Sequence, residues 1–394
     1  MNPDHADSRG ATAPLSSRAE RAAGRREFLA QAGRLSLLAA AACAAGRAPL
    51  SAAEPRPQPA NVAGLPAMGL ALRAYDLTDD SFIYLKQIGV QHVLLVTTDF
   101  PSFKQSGALD LDEVVAIRRR IEGHGLRLAA VHLDQRTLSN LLLGLPGADD
   151  DLDRMCRLLQ VLGKAGVPFL NYSLLVSRAI LNRYGKPLPG HQRLPVGRGG
   201  AVLLNYDDAR ALQVAEEPAG RVSADEMWAR IERFARRCVP AAHEAGVVLG
   251  LHPDDPPVEQ FWGVTQVLNS LAGLERFLAL APSPYNGLVL CQGTIQEARI
   301  DVLDYIRHFG PQGRIGHVEL RGVRGVIPNY TEEFMDGGDL SMLKVLRALK
   351  GVGYTGPVEV AHVPMLLHDP KRAVVQAWSV AYLKGLLEAV YETP

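Results

Sequence analysis

Three side chains able to ligate a metal stand at or near the ends of three consecutive apolar runs: His252 closes VVLGLH (247–252), Cys291 closes GLVLC (287–291) and His317 lies in GRIGHVEL (313–320). Imidazole and thiolate together suit a divalent transition ion such as Zn, Mn or Fe. Each residue alone has a blander reading, a hydrogen-bonded structural histidine or a packed thiol. Their recurrence on successive runs is what points to a shared cation. His252 also begins His-Pro-Asp-Asp-Pro-Pro, which brings Asp254 and Asp255 beside it. Those carboxylates either orient ligands and substrate hydroxyls or sit solvated in an Asp-Pro turn. The last apolar run ends in Glu359-Val360-Ala361-His362, and imidazole is the side chain best suited to general acid–base chemistry near neutral pH.

Something must carry these residues to one place. Eight apolar runs alternate with longer amphipathic ones, the other five being GLALRAY (69–75), HVLLVTT (92–98), LRLAAVHL (126–133), VPFLNYSLL (167–175) and GPVEVAH (356–362). Each reads as a buried parallel strand, apolar for several positions and bounded by Gly, Pro or polar residues. A glycine just before a strand (Gly89, Gly125, Gly166, Gly246, Gly353) marks a helix stop. Ser223 and Glu226 have the spacing of a capping box at the start of a long helix. Eight such units predict an α/β fold, a (β/α)8 TIM barrel over residues 66–392, with strand C-terminal ends forming the active mouth. No glycine-rich phosphate loop follows the first strand, which argues against a doubly wound sheet. The stretch from about Ser177 to Val222 is too long for a simple connection; it is predicted to be a long loop insertion after strand four, a lid or a disordered segment.

Residues 1–60 read as an address. Arg25-Arg26 precede Glu27-Phe28-Leu29, an Ala/Leu-rich run spans Leu35 to Ala45, and Ser51-Ala52-Ala53 offers small residues to a signal peptidase. The arrangement resembles a twin-arginine export signal, so the export machinery is an expected partner and the periplasm the expected location. The 42 basic and 42 acidic side chains balance to zero net charge, which gives no support to nucleic acid as a partner. No stable membrane insertion is expected of the mature chain, and a homo-oligomer is left open. Four cysteines are no disulfide framework; Cys156 and Cys238 sit in helical stretches and read as packing residues.

Gly-Leu-His-Pro-Asp-Asp-Pro-Pro, then Asn286-Gly287, then Cys291-Gln292-Gly293-Thr294, closely resemble the mannonate dehydratases from about Leu70 to Leu386. The resemblance implies a xylose-isomerase-like barrel using Mn(2+), or the related Fe(2+) or Zn(2+), to dehydrate D-mannonate or a similar sugar acid to a 2-keto-3-deoxy product. It implies His252, Cys291 and His317 as metal ligands, Arg73 as a residue binding the acid, and Asn171 as a substrate contact. Two departures stand out. The family ends its last strand in Asp-His, where this chain has Ala361-His362. The family carries an Arg two residues after the strand-seven His, where this chain has Glu319. His362 is then the expected acid–base group, Glu319 or His132 the candidates for a second, and Glu319 or Glu359 a relocated carboxylate ligand. A sugar isomerase or epimerase of the same superfamily, or a non-catalytic barrel that binds sugar or metal, is the alternative.

Overall fold

In the computed structural model, the described residues are 67–175, 190–211 and 221–392. The twin-arginine segment and part of the 177–222 insertion therefore lie outside them. Eight strands form a closed parallel barrel: β1 (Gly69–Arg73), β2 (His92–Val96), β3 (Arg127–His132), β4 (Phe169–Ser173), β5 (Val248–His252), β6 (Asn286–Cys291), β7 (Ile315–Leu320) and β8 (Pro357–Val360). Seven fall within a predicted run, and β6 begins one residue before its run, at Asn286. Neighbours in sequence are neighbours in space, and β8 closes on β1 through Leu70↔Val358. The expected (β/α)8 architecture is what the chain adopts.

Local chemistry explains the alternation. The helix Ala224–Ala245 starts at Ser223, whose side chain accepts from the Glu226 backbone N–H while Glu226 reaches back to the Ser223 N–H. Leu111–Gly123 starts on Asp110 in the same role. The five glycines predicted to stop helices all have positive φ, from +68° at Gly246 to +94° at Gly89. Only glycine takes that conformation without crowding its own Cβ.

The barrel interior is lined largely by small residues, with one large plug. Ala71, Ala129, Ala130, Val248 and Val289 pack with Leu94 and Phe169. The Phe169 ring lies against the bare Cα of Gly250 on the adjacent strand. Above this floor there is room for polar side chains.

The insertion after β4 is a correction to expectation. Its described part is neither a bare lid nor disordered. Strands His191–Leu194 and Leu203–Asp207 join a hairpin that follows β7, Gly322–Val326 and Asn329–Glu333, in a four-stranded antiparallel sheet. The Tyr206 and Tyr330 rings stack across it with centroids 5.1 Å apart. Val202 also bridges to Met365, beyond β8, by two backbone hydrogen bonds of 3.0 and 2.9 Å. Polar runs such as HQRL carry no strand signal in isolation; the hairpin that His191–Leu194 forms with Leu203–Asp207 is joined to the sheet by the pairing of Leu203–Asp207 with Asn329–Glu333, more than a hundred residues away.

A Gly250→Ala substitution drives a methyl into the Phe169 ring. It is expected to destabilise the barrel by about 1–3 kcal/mol through overpacking, read as a lowered urea midpoint. Gly385→Ala, where nothing lies near the added methyl, is expected to leave the midpoint unchanged or raised. A Gly250→Ala midpoint equal to wild type would show the floor to be less tightly packed.

Candidate active site

β5, β6 and β7 bring His252, Cys291 and Glu319 together, with one ligating atom of each within 4.8 Å of the others. His317 does not join that group. It faces inward one step below Glu319, and its Nε2 lies 2.8 Å from Glu359 Oε2. The period-two geometry of a strand explains the difference: His317 pairs in register with Val289, while Glu319 pairs with Cys291. Ligand-bearing level and floor are two residues apart. With Glu319 at the ligand level of this strand, Arg321 stands two residues beyond it, the same spacing as the His-to-Arg step of the resemblance.

Both motifs make physical sense around this group. His252 Nδ1 donates to the Pro253 carbonyl at 2.7 Å, which turns Nε2 toward Glu319 Oε2, 3.4 Å away. A ligating histidine is usually fixed in this way through its other nitrogen. Thr294 donates to the Cys291 sulfur at 3.2 Å. Gly293 is bare because the Arg321 stem passes where its Cβ would stand. Burial alone would depress His252, but Cys291 and Glu319 hold it well above the usual imidazole range. Burial would likewise raise Glu319, yet the hydrogen bond and charge of His252 keep it well below the usual carboxylate range. Imidazole, thiolate and carboxylate in one buried cluster are a donor set that fits a divalent transition ion.

Arg321 was missed in the sequence. It is 1% exposed, and its Nη2 donates to both Glu297 oxygens at 3.0 and 2.9 Å and to Thr294 at 3.0 Å. Asp255 lies 3.4 Å from the same nitrogen, and Glu332 lies 3.2 Å from Nη1. These carboxylates hold the guanidinium firmly charged against the cost of burial. Glu332, from the hairpin, lies 2.7 Å from His362 Nδ1, and Arg321 Nη1 lies 2.8 Å from that same nitrogen. Glu297 and Glu332 were not singled out either. The visible signal was a charged residue closing each buried run, EL-R and TIQ-E.

The remaining expected residues divide. Asp255 faces the site. Asp254 is buried and turns away to accept from the Leu268 N–H at 2.7 Å, and burial pushes its carboxyl up to about 7; it secures the loop and does not line the cavity. Asn171 is buried and its Nδ2 lies 2.7 Å from Glu319 Oε1 and 3.3 Å from His132 Nδ1. Arg73 ends β1, half exposed and paired with Asp99 at 3.2 Å. His362 lines a cavity of about 290 Å3 with His191, Arg193, Asp255, Glu332 and Arg372. Arg193 and Arg372 make no ion pair with a described residue, and Arg372 is held below the usual guanidinium range by burial and by the like charge of Arg193. A cavity of about 300 Å3 at the opposite end of the barrel, below Phe169, is lined without a charged side chain.

The D-mannonate dehydratase (UxuA) family profile matches residues 207–393, which contain β5 to β8 and the hairpin after β7. Mannonate dehydratase 2 of Halalkalibacterium halodurans is 26% identical, covering 82% of this chain and 99% of its own length. The mannonate dehydratase of Thermotoga neapolitana is 26% identical, over 78% of this chain and 92% of its own. This chain is similar to the mannonate dehydratases. The crystal structure of the mannonate dehydratase from Streptococcus suis serotype 2 superposes with a TM-score of 0.67 at 22% identity, covering 83% of this chain and 94% of that one. An L-ribulose 3-epimerase superposes with a TM-score of 0.54 at 14% identity, over 82% of this chain and 96% of that one. These superpositions show the xylose-isomerase-like fold. Within this mannonate dehydratase-like chain, no described helix is long and apolar enough to cross a membrane.

Arg321→Ala leaves Glu297 buried without its cation. The expected loss is about 3–5 kcal/mol of stability, measured by urea unfolding, and pairing it with Glu297→Leu should recover part of it. A single Arg321→Ala variant within about 1 kcal/mol of wild type would show the pair to be dispensable.

Proposed function

We propose that the chain is a metal-dependent hydro-lyase that dehydrates D-mannonate or a closely related sugar acid to a 2-keto-3-deoxy product. The observation that carries the reading is the buried His252–Cys291–Glu319 group beside the His362 cavity, on a chain matching mannonate dehydratases. Mn(2+) is the proposed ion, with Fe(2+) and Zn(2+) compatible with the same donors. A divalent cation held there would stabilise the negative charge that develops beside the acid group.

The chain's own residues supply the rest. Arg193 and Arg372 are the cations in the cavity beside His362 and are proposed to hold the substrate carboxylate; Arg73, engaged by Asp99, adds positive charge at the rim. Glu332 accepting from His362 Nδ1–H leaves Nε2 free as a base. Nε2 takes the C2 proton, and the C2–H electrons become the C2=C3 bond as the C3 hydroxyl leaves. The same imidazolium returns its proton to that hydroxyl, so water departs and an enol remains, which tautomerises to the 2-keto acid. Facing carboxylates at Glu319 and Glu359 are also what an epimerase would use, and that is the second reading.

The decisive assay incubates the purified, Mn-loaded full chain with a panel of aldonates and ketoses. The expected result is a 2-keto-3-deoxy product from D-mannonate, abolished by chelator, with Cys291→Ala lowering kcat/KM at least about 100-fold. Epimerised ketose without any dehydration product would overturn the reading in favour of the alternative.

Export by the twin-arginine route is proposed on Arg25-Arg26 and the apolar run behind them. Arg25→Lys with Arg26→Lys is expected to retain the chain in the cytoplasm in a fractionation experiment. Unchanged export of that variant would remove the proposal.

A further inference from the structure

Beneath the His252–Cys291–Glu319 group lie polar side chains that the dehydration does not use. His132, His317, Glu319 and Glu359 each bring one ligating atom within 4.8 Å of the others. His317 is 0% exposed, Glu319 8% and Glu359 6%. Glu359 Oε2 lies 2.8 Å from His317 Nε2 and 3.7 Å from His132 Nε2. The His132 Nε2 is shut off from water yet has no hydrogen-bond partner.

This arrangement is hard to explain as packing. Glu319 and Glu359 are paired in register on adjacent strands, so two carboxylates face one interior. Their ion-pair partners among the described residues are all histidines. The surrounding interior is largely alanine, valine, leucine and phenylalanine, and the Asn171 amide donating to Glu319 adds a hydrogen bond but no positive charge. A tetrahedral ion with bonds of about 2.1 Å sets its donors roughly 3.4 Å apart, a spacing the observed separations bracket. Two imidazoles and two carboxylates are a donor set for Mn, Fe or Zn.

We propose that the barrel holds a second divalent cation on His132, His317 and Glu359, sharing Glu319 with the ion of the upper group. One ion cannot serve both sets, because Glu319 is the sole residue common to them and Cys291 lies outside the lower one. The two oxygens of Glu319 are already divided: Oε2 faces His252 at 3.4 Å, while Oε1 faces Asn171 at 2.7 Å on the His132 side. A carboxylate so placed bridges two ions about 3.5–4 Å apart. The charges also balance: one thiolate and two carboxylates against two divalent ions leave one positive charge, which an incoming monocarboxylate neutralises. The proposal rests on the upper cation reading only through the shared Glu319.

The test is metal stoichiometry of the full chain, stripped by chelator, titrated with Mn(2+) and freed of excess ion. Wild type is expected to retain two ions per chain, with the electron paramagnetic resonance spectrum of a spin-coupled pair. Glu359→Gln, which keeps size and shape, is expected to retain one ion with an uncoupled spectrum. Cys291→Ser is expected to lose the other. Circular dichroism confirms that each variant is folded, and His317→Asn provides an independent second removal. One ion in wild type, lost in Cys291→Ser and kept in Glu359→Gln, would overturn the second site and leave the proposed function standing. Two ions that both survive Glu359→Gln and His317→Asn would overturn it as well, since the extra ion would then sit elsewhere. No tightly held ion at all would sink the upper site with it.

Discussion

A guanidinium taken almost wholly out of water must be surrounded by acceptors, and meeting that demand organises the mouth of this barrel. Arg321 leaves the end of β7 and gathers Glu297 from the turn of helix after β6, Asp255 from the loop after β5 and Glu332 from the hairpin after β7. Each acceptor belongs to a different connection. A buried ion pair of this kind contributes little net stability compared with apolar packing; what it does here is fix geometry. Thr294, held by Arg321, points its hydroxyl at the Cys291 sulfur, and Glu332, held by Arg321, meets the His362 imidazole. The proposed cation group and the proposed acid–base group are thus tied to one charge.

The division of labour between levels follows from the strand repeat. Residues two apart on β7 face the same interior, so His317 and Glu319 occupy successive floors. Ranking candidates by residue type favours the histidine, since imidazole is the commoner partner for a thiolate. Register favours the glutamate, because it is Glu319 that pairs with Cys291. Here backbone register decides, and side-chain type then determines what each floor can do.

Much of this was legible before any coordinates. Eight apolar runs gave eight strands because a buried parallel barrel leaves no face for polar residues to reveal a different period. The helix stops were legible because Gly246 and its counterparts have no substitute at positive φ. His252 and Cys291 were legible because they terminate runs. Arg321 was not, since a charged residue just past a strand ordinarily reads as solvent-facing, and its acceptors are scattered from Asp255 to Glu332. Asp254 and Asp255 could not be told apart, because opposite orientations of adjacent carboxylates are settled by Leu268 and Arg321, partners distant in sequence. The sheet built from 191–207 and 322–333 escaped for the same reason.

That sheet separates two kinds of evolutionary change. Most residues of the cavity wall, His191, Arg193, Leu204, Glu332 and Arg372, come from segments outside the barrel strands. The inward-facing chemistry of Cys291, Glu319 and Glu359 comes from the strands themselves. Edits to the outer pieces at positions such as His191 and Leu204 can therefore reshape what is admitted while the inner donors stay fixed. The bridge from Val202 to Met365 also joins the first and last of those pieces, so a change in one is transmitted mechanically to the other. Substrate range in such a molecule would be expected to drift by coordinated exchange of these panels, with the inner donors changing on a slower clock.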